Sequence, residues 1–304
     1  MNILGSMSHA KKRKLTTWYY GYLFIAPTLL GVLVLNMWSV LQSIYYSFNE
    51  VKGFAPPKFV GLSNYVRLLN DTEVLRAVGN TFLYCLLTVP IGIMISLITA
   101  VLLNTQIKGK GIVRSIYFLP VVSAPAAVAL VWKWLYNKQY GLINQILTEL
   151  GIPGPDWLGS NALALTSVAI VGIWSMVGYN MIILIAGLQN IPGSLYEAAE
   201  IDGAGPFSKF FKITLPLVSP TLYFVTVITI IGSFQVFDHI YMMLSPESPS
   251  FKYTESIVYL FYRYSFENYN KGYGSTIVVL MLVIILLLTW FQTKLQKKWV
   301  HYYD

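Results

Sequence analysis

The chain has 304 residues, a formal net charge of +8, 56% hydrophobic residues and 11% charged residues, with a mean hydropathy of +0.59. A soluble domain carries about 25% charged residues, so this much apolar surface cannot all turn inward, and an ordinary water-soluble fold is excluded. One cysteine, Cys85, excludes an intramolecular disulfide, and histidines scattered at His9, His239 and His301 form no zinc-binding spacing.

Six runs free of Asp, Glu, Lys and Arg, at 15–49, 77–107, 115–132, 157–196, 213–237 and 272–293, reach about the 20 residues that a membrane-crossing helix needs. None shows the strict alternation of a barrel strand. The sequence therefore predicts an all-α membrane protein with six transmembrane helices, at about 20–43, 79–104, 113–135, 163–187, 215–238 and 274–294. Residues 1–17 read as an N-terminal segment, with MNILGS ahead of Met7 set aside from the fold. The first apolar run is too long for the core of a cleaved signal, so it is expected to stay as the first helix. After it, NYVRLLNDTEVLRAV has the spacing of a short amphipathic surface helix. Helix 2 is followed by a short basic loop, and helix 3 is expected as one unbroken span. The stretch YGLINQILTELGIPGPDWLG predicts another short amphipathic helix, stopped by Gly151 and Pro153. Beyond helix 5, residues 239–273 are polar and rich in tyrosine, which suits a membrane interface. No tandem repeat occurs, and no segment between helices is large enough for a second domain, so 18–304 is expected to form a single six-helix domain.

Cytoplasmic loops collect Lys and Arg. With both termini inside, the inner segments hold 12 of the 21 basic residues and 4 of the 13 acidic ones, so the whole +8 excess falls on one face. The basic balance thus reflects topology. No Arg-aromatic platform for nucleic acid is present.

The segment between helices 4 and 5, residues 192–216, is polar and bent. Ser194 followed by Glu197 has the spacing of a capping box. Gly203 is placed to end that helix in a left-handed conformation, and Pro206 to open a second one. The expectation is two short helices with a sharp turn, Phe207, Phe210 and Phe211 toward the bundle and Glu197, Glu200, Lys209 and Lys212 toward water. From the residues alone, this is either a plain connector or a knob shaped for a groove on another protein.

Polar groups inside membrane helices are costly and therefore informative. Helix 4 carries Trp174, Ser175, Tyr179 and Asn180, and the end of helix 5 carries Phe234, Gln235 and Asp238. In a helix reaching 238, Phe234 and Gln235 each share a face with Asp238. Interface anchoring and helix-to-helix bonding are equally open readings of these residues.

The stretch EAAEIDGAGPFSKFFKITLPLVSP is similar to the coupling-loop signature of the permease subunits of binding-protein-dependent ABC importers. It supplies Glu197-Ala198-Ala199, Asp202-Gly203-Ala204, Pro206, and the Ile213 to Pro216 run. FVGLSNYVRLLNDTEVLRAVGNTFLY, YFLPVVSAPAAVALVWKWLYN and FDHIYMML resemble the carbohydrate-importing, maltose-type branch, and the likeness runs from about Trp18 to the C-terminus. The resemblance implies a type I importer permease fold in the cytoplasmic membrane of a bacterium. It implies a second, similar permease as partner, two ATPase subunits that bind the ATP and Mg, and an external solute-binding protein that delivers a carbohydrate. It also implies that residues Glu197, Ala198, Ala199, Asp202, Gly203, Ala204, Pro206, Ile213 and Pro216 couple the chain to an ATPase. By the same likeness, Trp174, Tyr179, Phe234, Gln235 and Asp238 match sugar-binding positions. That branch prefers Asn where Gln235 and Asp238 stand here, which implies a different sugar. No cofactor is expected on this chain, since no G-x-x-x-x-G-K-[ST] phosphate loop occurs. A glycerol-phosphate permease and a self-sufficient secondary transporter are the rival readings.

Overall fold

A computed structural model describes residues 9–105 and 108–300. Residues 1–6, set aside above, and His301 lie outside them. Five helical stretches are long and apolar enough to cross a membrane, and a bent pair makes a sixth crossing. The first crossing starts earlier than expected. Helix α1 (His9–Gly31) continues through a π-helical turn at Val32–Met37 into α2 (Trp38–Ser47). Residues 9–17 are helical and continuous with the first crossing. A two-stranded ribbon, β1 (Asn49–Glu50) with β2 (Lys58–Phe59), leads to α3 (Ser63–Asn70). The expected surface helix ends there, because Asp71 turns extended and caps α4 (Thr72–Leu103), accepting the Glu73 N–H at 3.0 Å.

The third crossing departs most from expectation. Residues 113–135 do not form one helix. They divide into α5 (Lys110–Val122) and α6 (Pro125–Leu135), bent by 101°. Pro125 has no N–H to donate and pushes its predecessor out of the helical region. Ser123 and Ala124 accordingly take ψ of 145° and 127°. The bend turns α6 to pack against the short outer helix α12 (Asp238–Met243). Between them in sequence lie α7 (Leu142–Glu149), stopped by Gly151 at φ +75° as anticipated, and α8 (Ala164–Gln189).

After α8 come α9 (Gly193–Ile201), α10 (Pro206–Lys209), a π-helical turn at Phe210–Thr214, and α11 (Leu215–Phe234). The stretch Pro206–Phe234 runs as one 29-residue span. The second knob helix and the fifth crossing are thus a single element. Pro216 lacks the N–H that the preceding turn would use, and its ring crowds that turn, which widens to π spacing. The outer end closes with α13 (Ile257–Tyr262), a π-helical turn at Arg263–Glu267, and α14 (Lys271–Trp299).

Helices α4 and α8 pack along each other, and α5 and α11 flank them. An inner core gathers Leu97, Ala100, Met181, Leu184, Val218 and Val225. An outer core gathers Tyr84, Val168, Ala169, Val236, Ile240 and Tyr259. The α1–α2 crossing contributes nothing to either, and none of its most apolar window is buried within the chain.

The outer segment 251–267 straps three elements together. Asn80 donates to the carbonyls of Lys252 and Glu255 at 3.0 and 3.1 Å. The Ile257 N–H donates to Thr81 Oγ1 at 3.1 Å, and Ser256 Oγ donates to the Val236 carbonyl at 2.8 Å. Glu255 is only 4% exposed in this seam. Arg263 Nη2 meets Glu73 Oε2 at 2.5 Å, while Arg263 Nη1 lies 3.0 Å from Glu255 Oε1, which makes no hydrogen bond. One guanidinium serves two carboxylates. Burial dominates, Arg263 and Arg76 oppose it, Glu73 and Asp71 add to it, and the Glu255 carboxyl is pushed up to about 7 from an ordinary 4.5. A carboxyl raised in this way stabilises the fold fully below its ordinary value, and the contribution is lost as pH rises through 7. Glu255→Gln keeps the neutral form at every pH. The wild-type melting temperature should therefore fall more than the variant's between about pH 5 and about pH 8. The gap is expected to be on the order of 2 °C by thermal unfolding in detergent.

Candidate functional site

Two places collect the residues singled out from the sequence. The first is a cavity of about 400 Å³ between α4, α8, α11 and α12, closed on one side by Pro125 at the bend of the third crossing. Tyr179, Asn180, Thr229, Ser233, Gln235 and Asp238 give it polar walls; Tyr84, Met176, Ile228, Val236 and Phe237 give it apolar ones. Among the described residues, no Lys or Arg lines it. Concave, mostly apolar sites with a few placed polar groups are the usual form of small-ligand sites.

The packing that shapes the cavity is specific. Asn180, 2% exposed, donates to Thr229 Oγ1 at 3.1 Å and ties α8 to α11. Thr88 Oγ1 and Ser233 Oγ lie 3.2 Å apart and tie α4 to α11. The expected fifth helix does not reach 238. It ends at Phe234, Gln235 is its C-terminal cap, and α12 begins at Asp238 with the acid in its first turn. The Ser256 bond to the Val236 carbonyl holds this break from outside. The helical face expected to join Phe234 and Gln235 to Asp238 therefore does not exist. Gln235 and Asp238 still line one cavity, from opposite sides of the break. Phe234 does not; it is fully buried, edge-on to Phe82 at 5.0 Å. Trp174 does not either. It meets Trp132 edge-on at 5.7 Å, in an aromatic group that continues through Tyr136 to Trp157. Tyr179, 49% exposed, stands at the cavity wall.

Sequence reasoning passed over Thr229, Ser233 and His239. The first two stand four apart in α11 and so share one face of that helix. His239 was set aside as one of three scattered histidines. Burial lowers its imidazole pKa from the ordinary value, with Asp238 pulling the other way.

The second place is the bent segment at 192–216, between α8 and α11. Helix α9 starts at Gly193 with Pro192 as its cap residue and no capping side chain, so the expected Ser194–Glu197 capping box does not form. Pro192 already presets the extended entry, which puts Ser194 inside the first turn. The other end is as expected. Gly203 has φ +72°, its N–H donates to the Glu200 carbonyl at 3.0 Å, and the Ala204 N–H donates to the Ala199 carbonyl at 2.8 Å. These two bonds are the Schellman pattern. Gly205 is extended and Pro206 opens α10. Lys209 Nζ meets Glu200 Oε1 at 2.6 Å, and Tyr196 and Thr214 hydroxyls lie 2.9 Å apart, clamping α9 to the base of α11.

The knob's apolar residues divide differently from expectation. Phe210 packs on the inner core, but Phe207 and Phe211 are 81% and 61% exposed, beside Ile201 at 87%. Glu197, Ala198, Asp202, Gly203 and Pro206 are exposed with them, while Ala199, Ala204, Ile213 and Pro216 are half-buried.

Residues 65–301 match the family described as the inner membrane component of binding-protein-dependent transport systems. The trehalose/maltose transport system permease protein MalF of Thermococcus litoralis is 36% identical over 270 residues, covering 88% of this chain and 90% of its own length. The sn-glycerol-3-phosphate transport system permease protein UgpA of Agrobacterium fabrum is 33% identical over 283 residues, covering 92% and 96%. Among solved structures, a chain of a bacterial ABC transporter involved in import of the acidic polysaccharide alginate superposes with a TM-score of 0.83, over 95% of this chain and 99% of that one, at 20% identity. The fold is that of an ABC-importer permease, and the chain belongs to the family of multi-pass inner membrane components of binding-protein-dependent transport systems.

Proposed function

We propose that this permease carries a carbohydrate, and that the cavity between α8, α11 and α12 is its share of the translocation site. The observation that carries the reading is the cavity wall. Tyr179 offers an aromatic face, Gln235, Asn180 and Asp238 offer hydrogen-bonding groups, and no cation is present. A sugar presents apolar ring faces and neutral hydroxyls, which suit such a wall. A glycerol phosphate would bring two negative charges toward Asp238 with no Lys or Arg to meet them.

In this reading a second, similar permease covers the bare α1–α2 crossing and completes the cavity. Two ATPase subunits bind the ATP and Mg that this chain has no phosphate loop to hold. An external binding protein loads the sugar, and both termini lie on the cytoplasmic side. The knob's exposed Ile201, Phe207 and Phe211 form an apolar patch unsuited to water and suited to an ATPase groove. The span Pro206–Phe234 then links the two places directly. At 1.5 Å per residue it is a rod of roughly 43 Å, from the knob to the residue beside Gln235. A displacement imposed on the knob by ATP-driven closure is delivered to the cavity lip.

The test is uptake into proteoliposomes by the complex purified with its partners, over a carbohydrate panel with glycerol 3-phosphate alongside. Gln235→Ala and Tyr179→Ala should each lower sugar turnover about tenfold, the loss of one hydrogen bond or stacking contact, with subunit composition unchanged. Full-rate uptake by both variants, or transport of glycerol 3-phosphate in place of any sugar, would refute the reading.

A further inference from the structure

Four aromatic rings form a continuous row that starts at the cavity and ends at the surface. Phe237 lines the cavity. Its ring stacks on Tyr241 at 5.1 Å and meets Tyr262 at 5.1 Å. Tyr241 stands edge-on to Tyr262 at 5.3 Å, and Tyr262 stacks on Phe266 at 5.6 Å. The row keeps free surface along its length. Phe237 and Tyr262 are half-buried, Tyr241 is 37% exposed, and Phe266 is 56% exposed.

The sequence spaces these rings by four twice, Phe237 with Tyr241 and Tyr262 with Phe266, and four residues set a pair on one helical face. The first pair is fixed by the Tyr241 N–H, which donates to the Phe237 carbonyl at 2.8 Å. The second lies across the π-helical turn Arg263–Glu267. Behind the row stands Tyr259, 2% exposed, 6.4 Å from Phe237 and 6.3 Å from Tyr241. Phe251 in turn meets Tyr259 edge-on at 4.8 Å. The rings are thus backed by the core, and a ligand settling on them orders little that is not already ordered.

Core packing accounts for Tyr259 and Phe251. It does not account for Tyr241 and Phe266, whose surface lies outside the core. The row is not purely apolar either. The Tyr241 and Tyr262 hydroxyls lie 3.5 Å apart in its middle, and its cavity end opens on the wall that holds Gln235 and Asp238. Arg263, next to Tyr262 in sequence, is engaged by Glu73 and Glu255. Aromatic faces edged by neutral hydroxyls, repeated in steps of 5.1 to 5.6 Å, match a chain of sugar rings. Each unit of such a chain offers an apolar face and a fringe of hydroxyls, at a similar repeat.

We propose that Phe237, Tyr241, Tyr262 and Phe266 form an extended subsite for an oligosaccharide, with one end unit in the cavity and the following units lying along the row. This rests on the carbohydrate reading above and narrows it to substrates of two or more units.

The experiment uses the complete importer in proteoliposomes with its binding protein. Turnover is measured over gluco-, galacto- and arabino-configured sugars from monosaccharide to pentasaccharide. Each variant is divided by wild type at the same length, which cancels the binding protein's own preference. Phe266→Leu and Tyr241→Leu keep apolar bulk and remove the ring. Each should lower turnover of the trisaccharide and longer chains about threefold to tenfold, the worth of one stacking contact, and lower the shortest carried sugar markedly less. Phe266→Trp restores a ring and should recover most of the loss. Rings that only anchor the protein at a membrane interface would give the same factor at every length, or no effect, and either result overturns the proposal. A wild type that carries monosaccharides alone overturns it too, while leaving the carbohydrate reading standing. An importer confined to one oligosaccharide is read from Phe266→Leu and Phe266→Trp. Loss in the first and recovery in the second, both at the wild-type melting temperature, uphold the proposal; no loss, or loss that follows a lowered melting temperature, overturns it. Should Tyr241→Leu fail to assemble with the ATPase, the more exposed Phe266 carries the reading by itself. A wild-type complex that carries no sugar sinks the carbohydrate reading and this inference together.

Discussion

Gly203→Val is expected to abolish most transport while leaving the membrane bundle folded. Gly203 sits at φ +72° with nothing within 4 Å of where a Cβ would stand, so the defect is conformational and not a clash. A left-handed conformation costs an L-residue about 1–2 kcal/mol, and a β-branched side chain tolerates it worst. Relaxing it breaks the Ala204–Ala199 bond that sets the angle between α9 and α10. The exposed patch of Ile201, Phe207 and Phe211 then no longer presents one surface. ATPase recovered on purification of the complex should drop about tenfold, and uptake with it. Gly203→Asn should fall between, since Asn visits the left-handed region more readily. Gly205→Ala is the control. Gly205 has φ −69° and open space around it, and the variant should behave as wild type. Wild-type ATPase recovery and uptake by Gly203→Val would mean that the turn does not position the knob.

The crossings and the knob were legible because their signals are local. A charge-free run of sufficient length reports a span whatever it packs against, and Gly203 and Pro206 act through their own backbone. The misses each depend on a partner that the local pattern does not show. Pro125 was visible, but proline inside an apolar run is compatible with a mild kink, and only the packing of α6 on α12 turns the break through 101°. The end of α11 at Phe234 has Gly232 in its last turn, but no glycine or proline follows to mark the stop. It depends on Ser256, 20 residues further on, taking the Val236 carbonyl. Trp174 and Phe234 are the aromatic types that a sugar site uses, and composition does not show that one meets Trp132 and the other Phe82.

The largest folding defect is expected from Gly178→Ala. A Cβ there would lie 1.9 Å from the Tyr117 carbonyl oxygen, 2.7 Å from its carbon and 3.1 Å from Phe118 Cα. All three are backbone atoms of α5, so no rotamer change relieves the overlap, and α5 must move off α8. Overpacking of this kind costs about 1–3 kcal/mol or more, enough to cut the folded yield several-fold. Because α5 leads directly into the Ser123–Ala124 break, its displacement also shifts Pro125 in the cavity wall. Molecules that do insert should therefore transport poorly. Gly172 provides the contrast within the same helix. Its Cβ would stand 2.1 Å from Tyr84 Oη, the tip of a side chain. Gly172→Ala should destabilise, and adding Tyr84→Phe should restore a good part of the loss, a coupling that a double-mutant cycle reads directly. No single side-chain truncation should rescue Gly178→Ala. Monodispersity and melting temperature by size-exclusion fluorescence separate the two cases. A Gly178→Ala protein that matches wild type in both would show that α5 does not approach α8 this closely, and the wall of the cavity at Pro125 would have to be redrawn.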